Sequence, residues 1–133
     1  MRVFLDTNVL VSAFASRGFC ADLFELVLLE QELIIGSHVL AELERTLRQK
    51  IKVPTKDCNE IVRFLRLHAA VSITSAEPVI ASVDPDDAQI LREALFGQAD
   101  VFVTGDAALL RLDKLDQMRI LSPRGLWDYL RSG

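Results

Sequence analysis

The sequence predicts an α/β fold with a mainly parallel sheet of about five strands and helices on both faces. Three observations lead there. Val3-Phe4-Leu5, Leu33-Ile34-Ile35 and Val101-Phe102-Val103 are apolar runs without polar alternation, as expected of parallel strands covered on both sides. Segments of helical periodicity lie between such runs along the whole chain. Parallel neighbours need crossover connections, and those connections place helices over the sheet.

Taken in order, residues 2–5 form the first strand. A helix begins at Asn8 with Val9, Leu10, Val11 and Phe14 and ends near Arg17-Gly18. A second helix spans about Ala21 to Glu30, and Gly36 closes the strand at Leu33-Ile34-Ile35. Ser37 is placed to cap a helix whose Val39, Leu43 and Leu47 make a core stripe at i, i+4 and i+8. Pro54-Thr55 opens another amphipathic helix, with Ile61, Phe64, Leu65 and His68 on one side. Val71-Ser72-Ile73 reads as a short strand. The helix over 84–96 has the clearest bounds: Asp84 as N-cap, Pro85 at the first position and Gly97 as stop. After the strand at 101–103, Thr104-Gly105-Asp106 leads into a short helix with Leu109, Leu110 and Leu112. Met118 to Leu121 is the last strand, and Ser122-Pro123 starts a terminal helix containing Trp127 and Tyr129.

A chain of 133 residues is expected to form one domain, 1–133, around a single core. No apolar run approaches the length of a membrane helix, and Asp6 interrupts the N-terminal run too early for a signal sequence, so a cytoplasmic location is expected. Cys20 and Cys58 lack metal or redox spacing and read as reduced packing residues. The net charge of −4 hides an uneven distribution. Arg45, Arg48, Lys50, Lys52 and Lys56 form a stretch without an acid, readable as a solvated face or as a track for backbone phosphates.

Four acids stand where an apolar element meets a turn or a helix. Asp6 and Asp106 follow the strands at 2–5 and 101–103, where an open α/β sheet has its ligand crevice. Each could instead cap the helix behind it, although Thr7 and Asn8 could take that task from Asp6. Asp87 lies on the inward face set by Ile90, Leu91 and Ala94, with Asp84 already the cap. Glu42 and Glu44 flank the Val39/Leu43/Leu47 stripe about equally, and periodicity does not choose between them. Carboxylates converging on one crevice repel by roughly 3 kcal/mol per pair at about 5 Å and an effective dielectric near 20. They need protons or a hard divalent cation. Thr7, Asn8 and Thr104 adjoin the strand-end acids and can orient them. Asp84 and Asp86 could touch a metal through water, but capping and solvation are the first readings, and His38 and His68 are isolated, neither a catalytic base.

Four motifs, Leu5-Asp6-Thr7-Asn8, Leu40-Ala41-Glu42-Leu43, Asp84-Pro85-Asp86-Asp87 and Val103-Thr104-Gly105-Asp106, resemble in order, spacing and context those of PIN domains, over essentially the full chain. Ser122-Pro123 before the last helix is similar to the branch of toxin–antitoxin toxins of the VapC-like type. The resemblance implies a three-layer α/β/α domain and a Mg²⁺- or Mn²⁺-dependent ribonuclease. It assigns the acid roles to Asp6, Glu42, Asp87 and Asp106, taking Glu42 over Glu44, with Asn8 and Thr104 as support. RNA as substrate, an antitoxin partner and a homodimer follow from the same resemblance. Gly36-Ser37-His38 departs from the family's usual Ser/Thr-Pro turn, a change expected to affect helix entry and not chemistry.

Two rival readings remain at this level. An aspartate-nucleophile phosphotransfer enzyme would use Asp6 covalently, but Asn8 replaces the second Asp such sites expect. A non-catalytic interaction module would keep the fold without a metal site, against which all four acids are present.

Overall fold

The computed structural model describes residues 1–72 and 83–132. The strands are β1 (Arg2–Leu5), β2 (Glu32–Gly36), β3 (Ala70–Ser72), β4 (Val101–Val103), β5 (Lys114–Leu115) and β6 (Met118–Leu121). Ile73, expected in the third strand, lies outside the described residues. The helices are α1 (Thr7–Ala15), α2 (Phe19–Glu30), α3 (Ser37–Gln49), α4 (Thr55–His68), α5 (Pro85–Phe96), α6 (Ala107–Leu110) and α7 (Pro123–Ser132). None is long and apolar enough to cross a membrane.

The sheet order is β3-β2-β1-β4-β6-β5, parallel except for β5 against β6. From β1 the chain winds outward through β2 to β3, then returns to place β4 on the other side of β1. The order therefore reverses between β1 and β4, and the crevice of such a sheet opens beyond the carboxyl ends of those strands. Val3, Phe4 and Leu5, and likewise Val101, Phe102 and Val103, are buried without interruption, so helices cover both faces. Phe4 and Phe102 stack at 5.4 Å across the central pair.

Several expectations are corrected. The sheet has six strands among the described residues, not about five. The extra one, β5, is two residues long and too short to carry a periodicity. It turns into β6 through Asp116, which adopts the left-handed region at φ 53°. On α4 the inward stripe is Cys58, Ile61, Val62 and Leu65, at i, i+3, i+4 and i+7. Phe64 and His68 sit about 100° to one side, toward solvent, with their rings in contact at 4.4 Å between centroids and tilted by 41°.

Ser37 does not cap α3. The N-cap position is Gly36, which has no side chain to accept from the first N–H groups of the helix. The cap comes instead from α5, where the buried Glu93 accepts from the Ser37 hydroxyl at 2.6 Å and from the His38 backbone N–H at 2.9 Å. A carboxylate at a helix start satisfies orphan donors and complements the dipole. Gly36 is required by this approach: a Cβ there would collide with Glu93 Oε1 and press on the Phe4 ring.

Candidate functional site

Asp6 occupies the first position after β1. Its backbone N–H continues the ladder to Val103 at 2.9 Å, and its Oδ1 caps α1 by accepting from Thr7 N at 2.8 Å. Neither Thr7 nor Asn8 relieves it of capping, contrary to the expectation that they could. One carboxylate has two oxygens, and Asp6 Oδ2 accepts from the Thr104 hydroxyl at 2.7 Å while the side chain still lines the crevice. Asp106 repeats the pattern after β4, capping α6 through Ala108 N at 2.8 Å. Thr104, fully buried, joins the two: its oxygen accepts from Asp106 N at 3.0 Å while its proton goes to Asp6.

Two helices supply the other acids. Asp87, half-buried in the first turn of α5, comes from one side. Glu42 comes from α3 and accepts from the Thr7 hydroxyl at 2.9 Å. Glu44 points elsewhere and pairs with Arg48 at 3.0 Å. Asp6, Thr7, Asn8, Glu42, Thr46, Lys50, Asp86, Asp87, Ile90 and Asp106 line one cleft of about 230 Å³, room for a hydrated ion and several further waters. All four acids singled out in the sequence thus share one volume. Among the described residues no Lys or Arg forms an ion pair with Asp6, Asp87 or Asp106.

The electrostatics record the crowding. Burial pushes the Asp6 carboxyl up, the hydrogen bonds from Thr104 and Thr7 oppose it, and the charges of Asp106 and Asp86 add to it. Burial, then the charges of Asp106, Asp6, Asp84 and Asp86, raise Asp87 to about 6. Glu42 is raised by burial and by its neighbour Asp86, against the Thr7 bond and His38. Asp86 goes the other way. Burial works against its charge, but bonds to His38 and Glu42 and the charges of His38 and Arg45 hold it below the usual value.

A consequence is measurable in chelator-treated protein. A carboxyl raised on folding gives stability that is complete below its unfolded pKa near 4 and lost as pH rises through the folded value of about 6. The apo protein should therefore unfold at a lower temperature at pH 7.5 than at pH 5, and Asp87→Asn should flatten part of that slope. Thermal scans giving parallel slopes for the two proteins would place Asp87 outside the cluster.

The basic stretch divides. Lys50 lines the cleft, and the charge of Arg45 reaches Asp86. Arg48 is engaged with Glu44, while Lys52 and Lys56 are exposed beyond the cleft lining. Two residues set aside in the sequence belong beside the site. His38 is not isolated: its Nε2 lies 2.6 Å from Asp86 Oδ1 and 4.0 Å from Glu42 Oε1. The His38/Glu42 spacing of i, i+4 was a readable signal, but Asp86 comes from another helix and no local pattern pairs them.

The PIN-domain family model matches residues 2–108. Among solved structures, the chain resembles VapBC2 from Rickettsia felis, bound to a DNA fragment from its promoter, with a TM-score of 0.65, 18% identity and coverage of 92% of this chain and 98% of that one. It also resembles VapBC-1 from nontypeable Haemophilus influenzae, with a TM-score of 0.64, 16% identity and coverage of 93% and 99%. No curated protein matches the chain. With the four-acid cleft at the sheet's reversal point and a family match over most of its length, the chain belongs to the PIN-domain family.

Proposed function

We propose that this protein is a metal-dependent ribonuclease that cleaves phosphodiester bonds of RNA and serves as the toxin of a toxin–antitoxin pair. The observation that carries the reading is the cleft itself: Asp6, Glu42, Asp87 and Asp106 share it without a Lys or Arg ion pair on the three aspartates among the described residues. An all-oxygen donor set with raised carboxyls fits Mg²⁺ or Mn²⁺, which take carboxylates and keep several waters. When bound, such an ion supplies charge that offsets a scissile phosphate and makes a nearby water more acidic.

The chain's own groups do the rest. Asp6 and Asp106 are assigned as the nearest ligands, held at a common spacing by the Thr104 hydroxyl, and Asp87 completes the set. Glu42, fixed through Oε1 by Thr7, orients the attacking water. Asn8, exposed at the cleft, is placed to hydrogen-bond substrate or an ion's water. Lys50 contacts a backbone phosphate at the edge, with Arg45, Arg48, Lys52 and Lys56 extending the positive side for single-stranded RNA. The toxin assignment is supported by the likeness to two VapBC complexes, and on it an antitoxin protein, a homodimer and a cytoplasmic setting are proposed.

Purified protein incubated with single-stranded RNA and Mn²⁺ should generate discrete new ends by sequencing, and excess chelator should abolish them. RNA that stays intact with either Mn²⁺ or Mg²⁺, in folded protein that shows no millimolar or tighter Mn²⁺ site by calorimetry, would leave the non-catalytic interaction module as the better reading.

A further inference from the structure

We propose that His38, Glu42 and Asp86 form a second metal site at the edge of the carboxylate cleft, whose lining includes Glu42 and Asp86, one that takes an imidazole-binding transition cation such as Zn²⁺ in preference to Mg²⁺. His38 and Glu42 stand at i, i+4 on α3 and project from the same face, and Asp86 reaches them from the first turn of α5. One donor atom from each lies within 4.8 Å of the others. His38 Nε2 is 2.6 Å from Asp86 Oδ1 and 4.0 Å from Glu42 Oε1. Ligands at the usual Zn–N and Zn–O lengths of about 2.1 Å sit roughly 3.4 Å apart around a tetrahedral ion. The two distances bracket that value, so a side-chain rotation of under about 1 Å at each donor creates the site.

The frame beneath is rigid. The His38 backbone N–H is held by the buried Glu93 at 2.9 Å, and Asp86 N is held by Asp84 at 2.8 Å, which fixes the helix starts that carry the donors. His38 and Asp86 are both partly open to solvent, so an ion has a path and a water can fill the remaining position. The donor chemistry sets the selectivity. One imidazole with two carboxylates suits Zn²⁺, Co²⁺ or Ni²⁺, whereas Mg²⁺ favours oxygen alone and parts reluctantly with its waters. Glu42 belongs to both groups, so an ion on the triad competes for a carboxylate the cleft also uses. The binding itself does not depend on the ribonuclease reading.

The test uses the metal-free 133-residue chain. Titration with Co²⁺ should develop the visible absorption of a low-coordinate ion, Zn²⁺ should displace it stoichiometrically, and Mg²⁺ in large excess should not. His38→Gln keeps a hydrogen-bonding side chain and should weaken Zn²⁺ by at least about a hundredfold, the upper end of what losing even an outer partner costs. Asp87→Asn, altered only in the cleft, should retain Zn²⁺ on the triad. The chain has two histidines, so ring NMR provides a readout that needs no variant: the His38 signals should move on Zn²⁺ addition while those of His68, packed against Phe64, stay. Zn²⁺ affinity within threefold of wild type in His38→Gln, Zn²⁺ binding lost in Asp87→Asn instead, or an unmoved His38 ring would each overturn the site.

Discussion

Asp6→Asn should reduce Mn²⁺-dependent RNA cleavage by at least about a thousandfold while leaving the protein folded. Several kcal/mol of charge stabilisation at the phosphate depend on the ion, and each 1.4 kcal/mol is about tenfold in rate. Asp6 is the most buried of the four acids and the one tied to the end of the neighbouring strand β4, through Val103 O and through the Thr104 hydroxyl. The asparagine keeps the geometry. Its Oδ1 still accepts from Thr7 N, preserving the cap of α1, and its amide can donate to the Thr104 oxygen. What it removes is charge. Since burial already pushes the Asp6 carboxyl up, the neutral variant should be as stable as wild type or more so without metal at pH 7.5. The decisive comparison is the cleavage rate beside the thermal midpoint in chelator. Wild-type rates from an Asp6→Asn preparation free of host nuclease would take Asp6 out of the mechanism.

Glu93→Ala should be among the most destabilising single changes at a polar residue, lowering the unfolding free energy by about 2–4 kcal/mol. Its carboxylate satisfies the Ser37 hydroxyl and the His38 N–H together, and Gly36 can offer no substitute. The alanine leaves both donors without their partner and opens space against Gly36, where Glu93 atoms now pack. For a chain of this length the loss corresponds to a midpoint lower by roughly 10 °C. Glu93→Gln keeps an acceptor for the His38 N–H and should cost about 1 kcal/mol, the net worth of an ordinary hydrogen bond. Glu93 also couples the helix bearing Glu42 to the helix bearing Asp87, so the alanine variant should lose affinity for Mn²⁺ in the cleft at temperatures where it is still folded. Denaturant unfolding of the three proteins checks the order. Equal midpoints for Glu93→Ala and wild type would mean that α3 is capped by other means.

The linear pattern made much of this site readable. Uninterrupted apolar runs marked β1, β2 and β4 because strands buried on both faces tolerate no polar residue. The same logic made Asp6 and Asp106 visible as the first polar groups beyond those runs. Asp87 was visible because it breaks an apolar face whose cap was already supplied by Asp84. Periodicity alone left Glu42 and Glu44 equal. Their difference is tertiary, since Thr7 stands opposite one and Arg48 lies a turn away from the other.

Local pattern and strand–helix alternation were therefore sufficient for the α/β class, most element positions and three of the four acids, since these follow from neighbours in the chain. The capping of α3 by Glu93, the pairing of His38 with Asp86 and the two-residue edge strand β5 were decided only when distant segments met. Glu93 lies at the margin of its helix's apolar stripe, where nothing local distinguishes a buried carboxylate from a solvated one. Burial of a polar group is set by the partner it finds, and that partner is 55 residues away.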